Sequence, residues 1–264
     1  MRIAVVEAPM GSGRHWAERA RLLDGQGFDA LLVPDTLWTP SPFPALAAAA
    51  AVTESIRLRT WVAAAPLRTP AALTREARAL QVLSDGRFEL GIGPGRPDAE
   101  AEAARLGATW GTAAERIAAV EESAAAVRAG VDPVPDVVVS AAGPRMLSAA
   151  ARVADRVALA LGPTATEADL VDAVERAREL CGPAMTFTQS LVGVGEALPS
   201  YFARTDGPTL AELQTLDSSA LLPGDPGLAA DILRAREERL GIVEVTVPGE
   251  LAEAFAPVLA RLRR

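Results

Sequence analysis

The sequence predicts a single-domain (β/α)8 TIM barrel, and three observations carry that expectation. Short aliphatic runs alternate eight times with longer stretches rich in Ala, Leu and Arg over 264 residues. Most of the runs are continuously apolar, as expected of parallel strands covered on both faces. The segment after the first run, Glu7-Ala8-Pro9-Met10-Gly11-Ser12-Gly13, lacks the third glycine of a dinucleotide-binding turn, which argues against a doubly wound sheet. A chain of this length, half of it hydrophobic, can bury one large core without disulfides.

The elements follow in order. A strand over 2–6 leads to a helix over 15–26 that Gly27 ends. A strand over 30–33 passes through the proline-rich loop 35–44 into an Ala-rich helix over 44–53. A strand over 57–62 precedes a helix over 70–83, for which Thr69 is an N-cap and Pro70 takes the first helical position. The next strand, 87–92, is followed by a helix over 112–128 before Gly130. A strand over 137–140 runs directly into a helix over 144–154. After the strand 156–161, Thr166 caps a helix over 167–180 with Asp169 three residues on, and Cys181-Gly182-Pro183 stops it. The seventh strand, 185–194, is followed by an irregular stretch over 195–223. There a short helix within 211–218 and a loop over the barrel mouth are expected, a shortened insertion before the seventh helix at 227–239, which Asp225-Pro226 opens. A strand over 242–247 and a helix over 251–262 complete the set.

Composition narrows the function. The net charge is −8 and the basic residues are scattered, which argues against nucleic acid as a partner. No apolar run approaches the roughly 20 residues of a membrane span. The first strand begins at Arg2 with no signal-peptide pattern before it, so a cytoplasmic protein is expected. Cys181 is the only cysteine and His15 the only histidine, so a histidine-based zinc site is excluded by count and no metal is expected.

In such barrels the loops after the strands converge on one face, and function collects there. Three strand ends stand out. The stretch 83–96 brings Gly91, Gly93, Gly95 and Arg96 to that rim, where glycines either let a flat ring or phosphate approach the backbone or relieve crowding at a tight corner. The segment Ala142-Gly143-Pro144-Arg145 opens a helix whose first-turn N–H groups favour an anion. The small residues Ala63, Ala64 and Ala65 leave room for a planar group. Trp38 is a candidate wall of the substrate pocket, whereas Trp61 is expected in the core. The proton-handling candidates are Glu7 and Asp35, which end the first two strands, and His15, which otherwise helps to cap the first helix. With no metal set and no nucleophile constellation, this inventory suits chemistry borne by a cofactor.

The residues also resemble a known family, the luciferase-like monooxygenases and F420-dependent oxidoreductases. The resemblance rests on Gly27-Phe28-Asp29-Ala30 with Val33-Pro34-Asp35, and on 47–53 with Ile56-Arg57-Leu58-Arg59-Thr60. Pro70 and Ala71 with 80–90, the spacing of Gly107, Arg116 and Glu121, and 141–147 with 149–155 extend it, and a drifted echo follows at 222–226. Arg59 stands where glycine is usual, Asp85 replaces another glycine, and Thr36 stands where many members carry histidine. The resemblance implies F420 as cofactor, with FMN as the alternative, a small organic substrate and a homodimer. It puts the ring at Ala63–Ala65 with a non-proline cis peptide at Ala63-Ala64, and the phosphate side near Gly143, Pro144 and Arg145. A catalytically silent binding homologue and a non-redox barrel enzyme gripping a phosphorylated metabolite are the alternative functions.

Overall fold

The computed structural model describes residues 1–96 and 98–264. Eight parallel strands form the barrel: β1 (Arg2–Val6), β2 (Ala30–Val33), β3 (Arg57–Thr60), β4 (Phe88–Gly93), β5 (Val137–Ala141), β6 (Arg156–Leu159), β7 (Thr186–Ser190) and β8 (Ile242–Pro248). Each pairs with the next, and β8 returns to β1 with Val247 opposite Val5, so the sheet is closed. The helices are α1 (Gly13–Gly25), α2 (Pro42–Ala50), α3 (Pro70–Leu83), α4 (Ala113–Gly130), α5 (Pro144–Val153), α6 (Glu167–Cys181), α7 (Pro226–Leu240) and α8 (Ala252–Leu262).

The expected caps are present. Ala72 N–H donates to Thr69 Oγ1 at 3.2 Å, and Leu228 N–H donates to an Asp225 oxygen at 2.7 Å. Thr166 and Asp169 form a reciprocal capping box. The carboxyl end of α2 is closed by Arg87, whose guanidinium donates to the carbonyls of Ala50, Thr53 and Ile56. That is the favourable place for a cation on a helix.

Strand alternation sorts the side chains into two cores. Ile3, Val5, Leu31, Val33, Leu58, Phe88 and Leu90 face outward and pack with helix residues such as Trp16, Leu46 and Leu80. Ala4, Ala30 and Leu32 face inward, with Val6 and Trp61 against them. Below that small apolar layer, the amino-terminal end of the barrel is filled by charge. Arg59, Glu89 and Glu244 are fully buried there and Arg156 nearly so. Arg59 donates to Glu89 Oε2 at 2.8 Å and to both Glu244 oxygens, Arg2 reaches Glu89 at 2.7 Å, and Thr188 Oγ1 donates to Glu244 at 3.0 Å. Burial pushes the Glu89 carboxyl up, but Arg59, Arg2 and Arg156 outweigh it and hold the pKa at about 2.

Two expected strands are divided. The run 57–62 leaves the ladder after Thr60, and the short strand Ala63–Ala64 pairs again with Ile92 and Gly93. The non-proline cis peptide is Trp61-Val62, not Ala63-Ala64. The run 185–194 ends its barrel pairing at Ser190, and Gly193–Val194 pairs with Leu221–Leu222 in a separate two-stranded sheet. This happens because Val192 turns away into a satellite cluster with Phe202, Leu213 and Ala220, which gives the insertion its own small core. The helix expected within 211–218 is Leu210–Thr215. Two further short helices, Glu100–Arg105 and Tyr201–Arg204, carry no strong pattern in the sequence. No described helix is long and apolar enough to cross a membrane.

Candidate active site

At the carboxyl end of the barrel the inward positions are small or hydroxylic. Ser140 of β5 and Ser190 of β7 are half-buried there, and Thr246 of β8 lies within 3.4 Å of Ser190. Gly93 ends β4, and a Cβ added to it would stand 2.9 Å from Val62 Cγ2 and 3.5 Å from Ser140. Trp61 and Val62, both half-buried, complete this floor from β3.

The three rim glycines are needed by the protein itself. A Cβ on Gly91 would strike the Thr60 carbonyl, one on Gly93 would crowd Val62, and one on Gly95 would enter the Trp110 ring. Gly95 also has φ +79°. Relief of crowding therefore accounts for the glycine at all three positions. Gly143 is the contrast. Nothing lies within 4 Å of its missing Cβ, and Ala142, Gly143, Pro144 and Arg145 are all exposed. No side chain caps α5, so its first-turn N–H groups have no side-chain acceptor. Arg145 makes no hydrogen bond or ion pair among the described residues.

Ala63, Ala64 and Ala65 are 1%, 6% and 2% exposed, which corrects the expectation that they offer a flat surface to a ring. Ala63 and Ala65 belong to the outer core, because the chain re-enters the ladder there. The half-exposed neighbours are Trp61 and Val62. The sequence places Trp61 in the core; it packs on the barrel interior but stays half-exposed.

The acid–base candidates divide in the same way. Both Asp35 oxygens are held by Arg68, at 2.9 Å for Nη2 to Oδ1, and Ala64 N–H donates to Oδ2 at 3.1 Å. Glu7 is gripped by Arg19 Nε at 2.9 and 2.8 Å, and Arg19 also donates to the Gly249 carbonyl. Both carboxylates thus fix loops, and a free general-base role is not what their partners describe. His15 is exposed, its backbone N–H donates to Ser12 Oγ, and its imidazole has no hydrogen-bond partner among the described residues. Arg96 stacks at 4.2 Å on Trp38, whose ring is 66% exposed, and pairs with Glu102 and Asp98. Leu37 N–H donates to Glu102 at 3.0 Å, so this cluster ties the 35–44 loop to the segment after β4. Trp61, Val62, Ser140, Ser190 and Arg68 were missed from the sequence. The inward parity of β3, β5 and β7 was the available signal for the first, third and fourth.

A cavity of about 800 Å³ lies on the flank of the barrel between α6, α7 and the insertion, lined by Glu167, Leu213, Leu222, Ile232, Arg236 and Arg239. It touches none of the strand-end groups described above. Its buried cation, Arg236, is already committed to Glu167, Gln189 and the Ser219 carbonyl. A much smaller cavity of about 60 Å³ adjoins Ala141 and Ala142.

A closed parallel barrel with an uncapped helix N-terminus at the carboxyl ends of its strands defines an α/β-barrel scaffold. A model of the luciferase-like monooxygenase family matches residues 4–194, and the chain belongs to that family. It is similar to the F420-dependent glucose-6-phosphate dehydrogenase of Beutenbergia cavernae, with 36% identity over 117 residues. That match covers 41% of this chain and only 34% of the relative's length. An F420-dependent secondary alcohol dehydrogenase in complex with an F420-acetone adduct shares the fold at TM-score 0.76 and 15% identity, over 100% of this chain and 99% of the other. So does the FMN-bound oxygenating constituent of 3,6-diketocamphane monooxygenase from Pseudomonas putida, at TM-score 0.72 and 17% identity, over 99% and 95% of the two chains.

Proposed function

We propose that this chain is an oxidoreductase that binds F420, or alternatively FMN, at the barrel mouth and acts on a small organic substrate. The observation that carries the reading is the open start of α5, directly after β5, where Gly143 is exposed and Arg145 has no partner among the described residues. Family membership supports it, as do the cofactors named for the similar proteins.

The residues present suit such a group. The α5 N–H groups and Arg145 would hold a phosphate, since unsatisfied donors and the helix dipole both favour an anion there. Trp61 and Val62 would support the ring, with Gly93 at its edge. When bound, the cofactor supplies the hydride chemistry. The Arg96–Trp38–Glu102 cluster would close the substrate side and exclude water. His15 is the remaining candidate proton donor, because Glu7 and Asp35 are held by arginines. A homodimer is the proposed assembly, although Phe43, Ala45, Leu46, Ala49 and Ala50 of α2 turn into their own core.

Titration of the purified protein with F420 and with FMN separately tests this. At least one is expected to bind with a dissociation constant below ~100 µM, about −5.5 kcal/mol. If neither does, the reading fails. The engagement of Glu7 and Asp35 favours a second reading, a cofactor-binding homologue without catalysis. It predicts that reduced cofactor binds but is reoxidised no faster than when free.

A further inference from the structure

Three strands of the barrel begin with arginine: β1 at Arg2, β3 at Arg57 and β6 at Arg156. Arg2 lies two residues before the inward Ala4, and Arg57 two before Arg59, which is buried inside the barrel. Strand alternation therefore turns both toward the barrel axis at its amino-terminal pole. The charges there are not used equally. Arg59 and Arg156 with Glu89 and Glu244 form a buried set of two guanidiniums and two carboxylates. Arg59 donates to Glu89 Oε2 and to both Glu244 oxygens, and Arg156 reaches Glu89 Oε2 at 3.5 Å and Glu244 Oε2 at 3.3 Å. That set is matched and dry.

Arg2 and Arg57 are extra. They share the one oxygen that the set leaves over, Glu89 Oε1, with Arg2 Nη2 at 2.7 Å and Arg57 Nε at 3.5 Å. Arg2 adds a long contact from Nε to Glu244 Oε2 at 3.5 Å, and the Arg57 side chain makes no hydrogen bond among the described residues. Their side chains are 26% and 43% exposed, while Glu89 behind them is fully buried. Asp29, the next acid to Arg2, is already spent on Arg263 and the Ile3 N–H. Four guanidiniums thus meet two carboxylates, and the two surplus positive charges sit side by side where water reaches them.

We propose that the amino-terminal pole of the barrel binds a small oxyanion of the phosphate type, bridged by Arg2 and Arg57, at the end opposite the candidate active site. A phosphate's two negative charges equal the surplus, and guanidinium donors suit the several oxygens of a tetrahedral anion. The ligand also relieves the repulsion between two cations that share a single acceptor. Nucleic acid and other polyanions do not fit, because the surplus is only two charges on a chain of net charge −8. The site is built from the starts of β1 and β3 and is independent of the cofactor reading, which rests on the segment after β5.

The test titrates wild type, Arg57→Gln and Arg145→Ala with inorganic phosphate by calorimetry, at about pH 8, where a phosphate carries close to two charges, with ionic strength held constant by sodium chloride. Wild type is expected to bind with a dissociation constant below ~1 mM. Arg57→Gln should weaken that binding about 5–10-fold, and Arg145→Ala should retain it. In parallel, the arginines of the wild-type protein are modified with phenylglyoxal and mapped by mass spectrometry, a readout that stands even if the variant does not fold. Phosphate should slow modification at Arg57 and leave the exposed Arg152 unchanged. Glycerol 3-phosphate, run alongside, separates the sources: protection by both ligands means that a phosphorylated metabolite is accepted, and protection by inorganic phosphate alone means that the free ion is the occupant. Unchanged reactivity of Arg57 in ~10 mM phosphate overturns the proposal and leaves the cofactor reading intact. Binding that Arg145→Ala removes and Arg57→Gln leaves untouched places the anion at the start of α5 and overturns it as well.

Discussion

At the amino-terminal end of the barrel, Arg59, Glu89 and Glu244 are fully buried and hydrogen-bonded to one another. At the carboxyl end of the barrel, Ser140, Ser190 and Trp61 are half-exposed, and Arg145 at the start of α5 has no partner among the described residues. One end has its charges matched and dry; the other has donors left over. The comparison teaches that a cation's surroundings decide what it does. A buried guanidinium between two carboxylates holds the fold in one arrangement, whereas a free guanidinium beside a helix N-terminus waits for an anion. The same division separates Asp35 and Glu7, held by Arg68 and Arg19, from the unengaged His15.

The largest effect that sharpens this contrast is expected from Arg59→Met. Removing one partner from a buried ion cluster strands the others, and two carboxylates would remain near Arg2 and Arg156 without their central cation. A loss of ~3–5 kcal/mol is expected, which for a domain of this size lowers the melting temperature by roughly 10 °C. Thermal and urea unfolding measure it. A loss below ~1 kcal/mol would mean that the floor behaves like a surface cluster and that the contrast between the two ends is not real.

How much of this was legible beforehand depends on the distance over which each signal acts. Thr69-Pro70, Thr166 with Asp169 and Asp225-Pro226 mark helix starts through groups three residues apart, so the sequence displays them directly. The eight strands were visible because burial on both faces leaves continuous apolar runs. The ion cluster was not, because Arg2, Arg59, Glu89, Arg156 and Glu244 come from five strands and meet only on closure. Arg59 stood out merely as a departure from glycine; its inward parity with Trp61 would have placed both inside the barrel. The rim glycines show the same limit. Their spacing was plain, but whether they admit a ligand or a neighbour depended on Thr60, Val62 and Trp110, up to 31 residues away in sequence. Ala63–Ala65 are buried rather than laid open because the chain leaves the ladder for two residues and then returns, a local break that smooth apolar composition hides.

A second effect, somewhat smaller, is acid sensitivity centred on the floor. Glu89 titrates at about 2 in the folded protein against an ordinary 4.5, and Glu244 is lowered by the same arginines against the same burial. A depressed carboxylate pKa contributes stability that is fully present above about 4.5 and is lost as pH falls toward about 2. The Glu89 share is roughly 3 kcal/mol. The urea midpoint should therefore fall steeply between pH 4.5 and 2.5, and less steeply in Arg59→Met, which lacks the main cation holding both carboxylates down. Equal slopes in the two proteins would assign acid unfolding to other groups.

The smallest effect belongs to the mouth and is the most selective. Arg145 has no partner to lose among the described residues, so Arg145→Ala should leave the melting temperature unchanged within the error of a surface substitution, ~0.5 kcal/mol. Its effect should be confined to anions. An exposed cation at a helix start contributes ~0.3–1 kcal/mol toward a bound negative group, which is about 2–5-fold in affinity. FMN and riboflavin make the comparison internal, because they share the ring and differ in the phosphate. Arg145→Ala should weaken FMN by that factor, more at low salt than at high, and leave riboflavin unchanged. Gly143→Ala, which adds a methyl into open space at φ −83°, should keep the fold and change FMN binding alone. If both ligands weaken equally, Arg145 touches the ring or the general shape of the mouth, and the phosphate is held somewhere other than the start of α5.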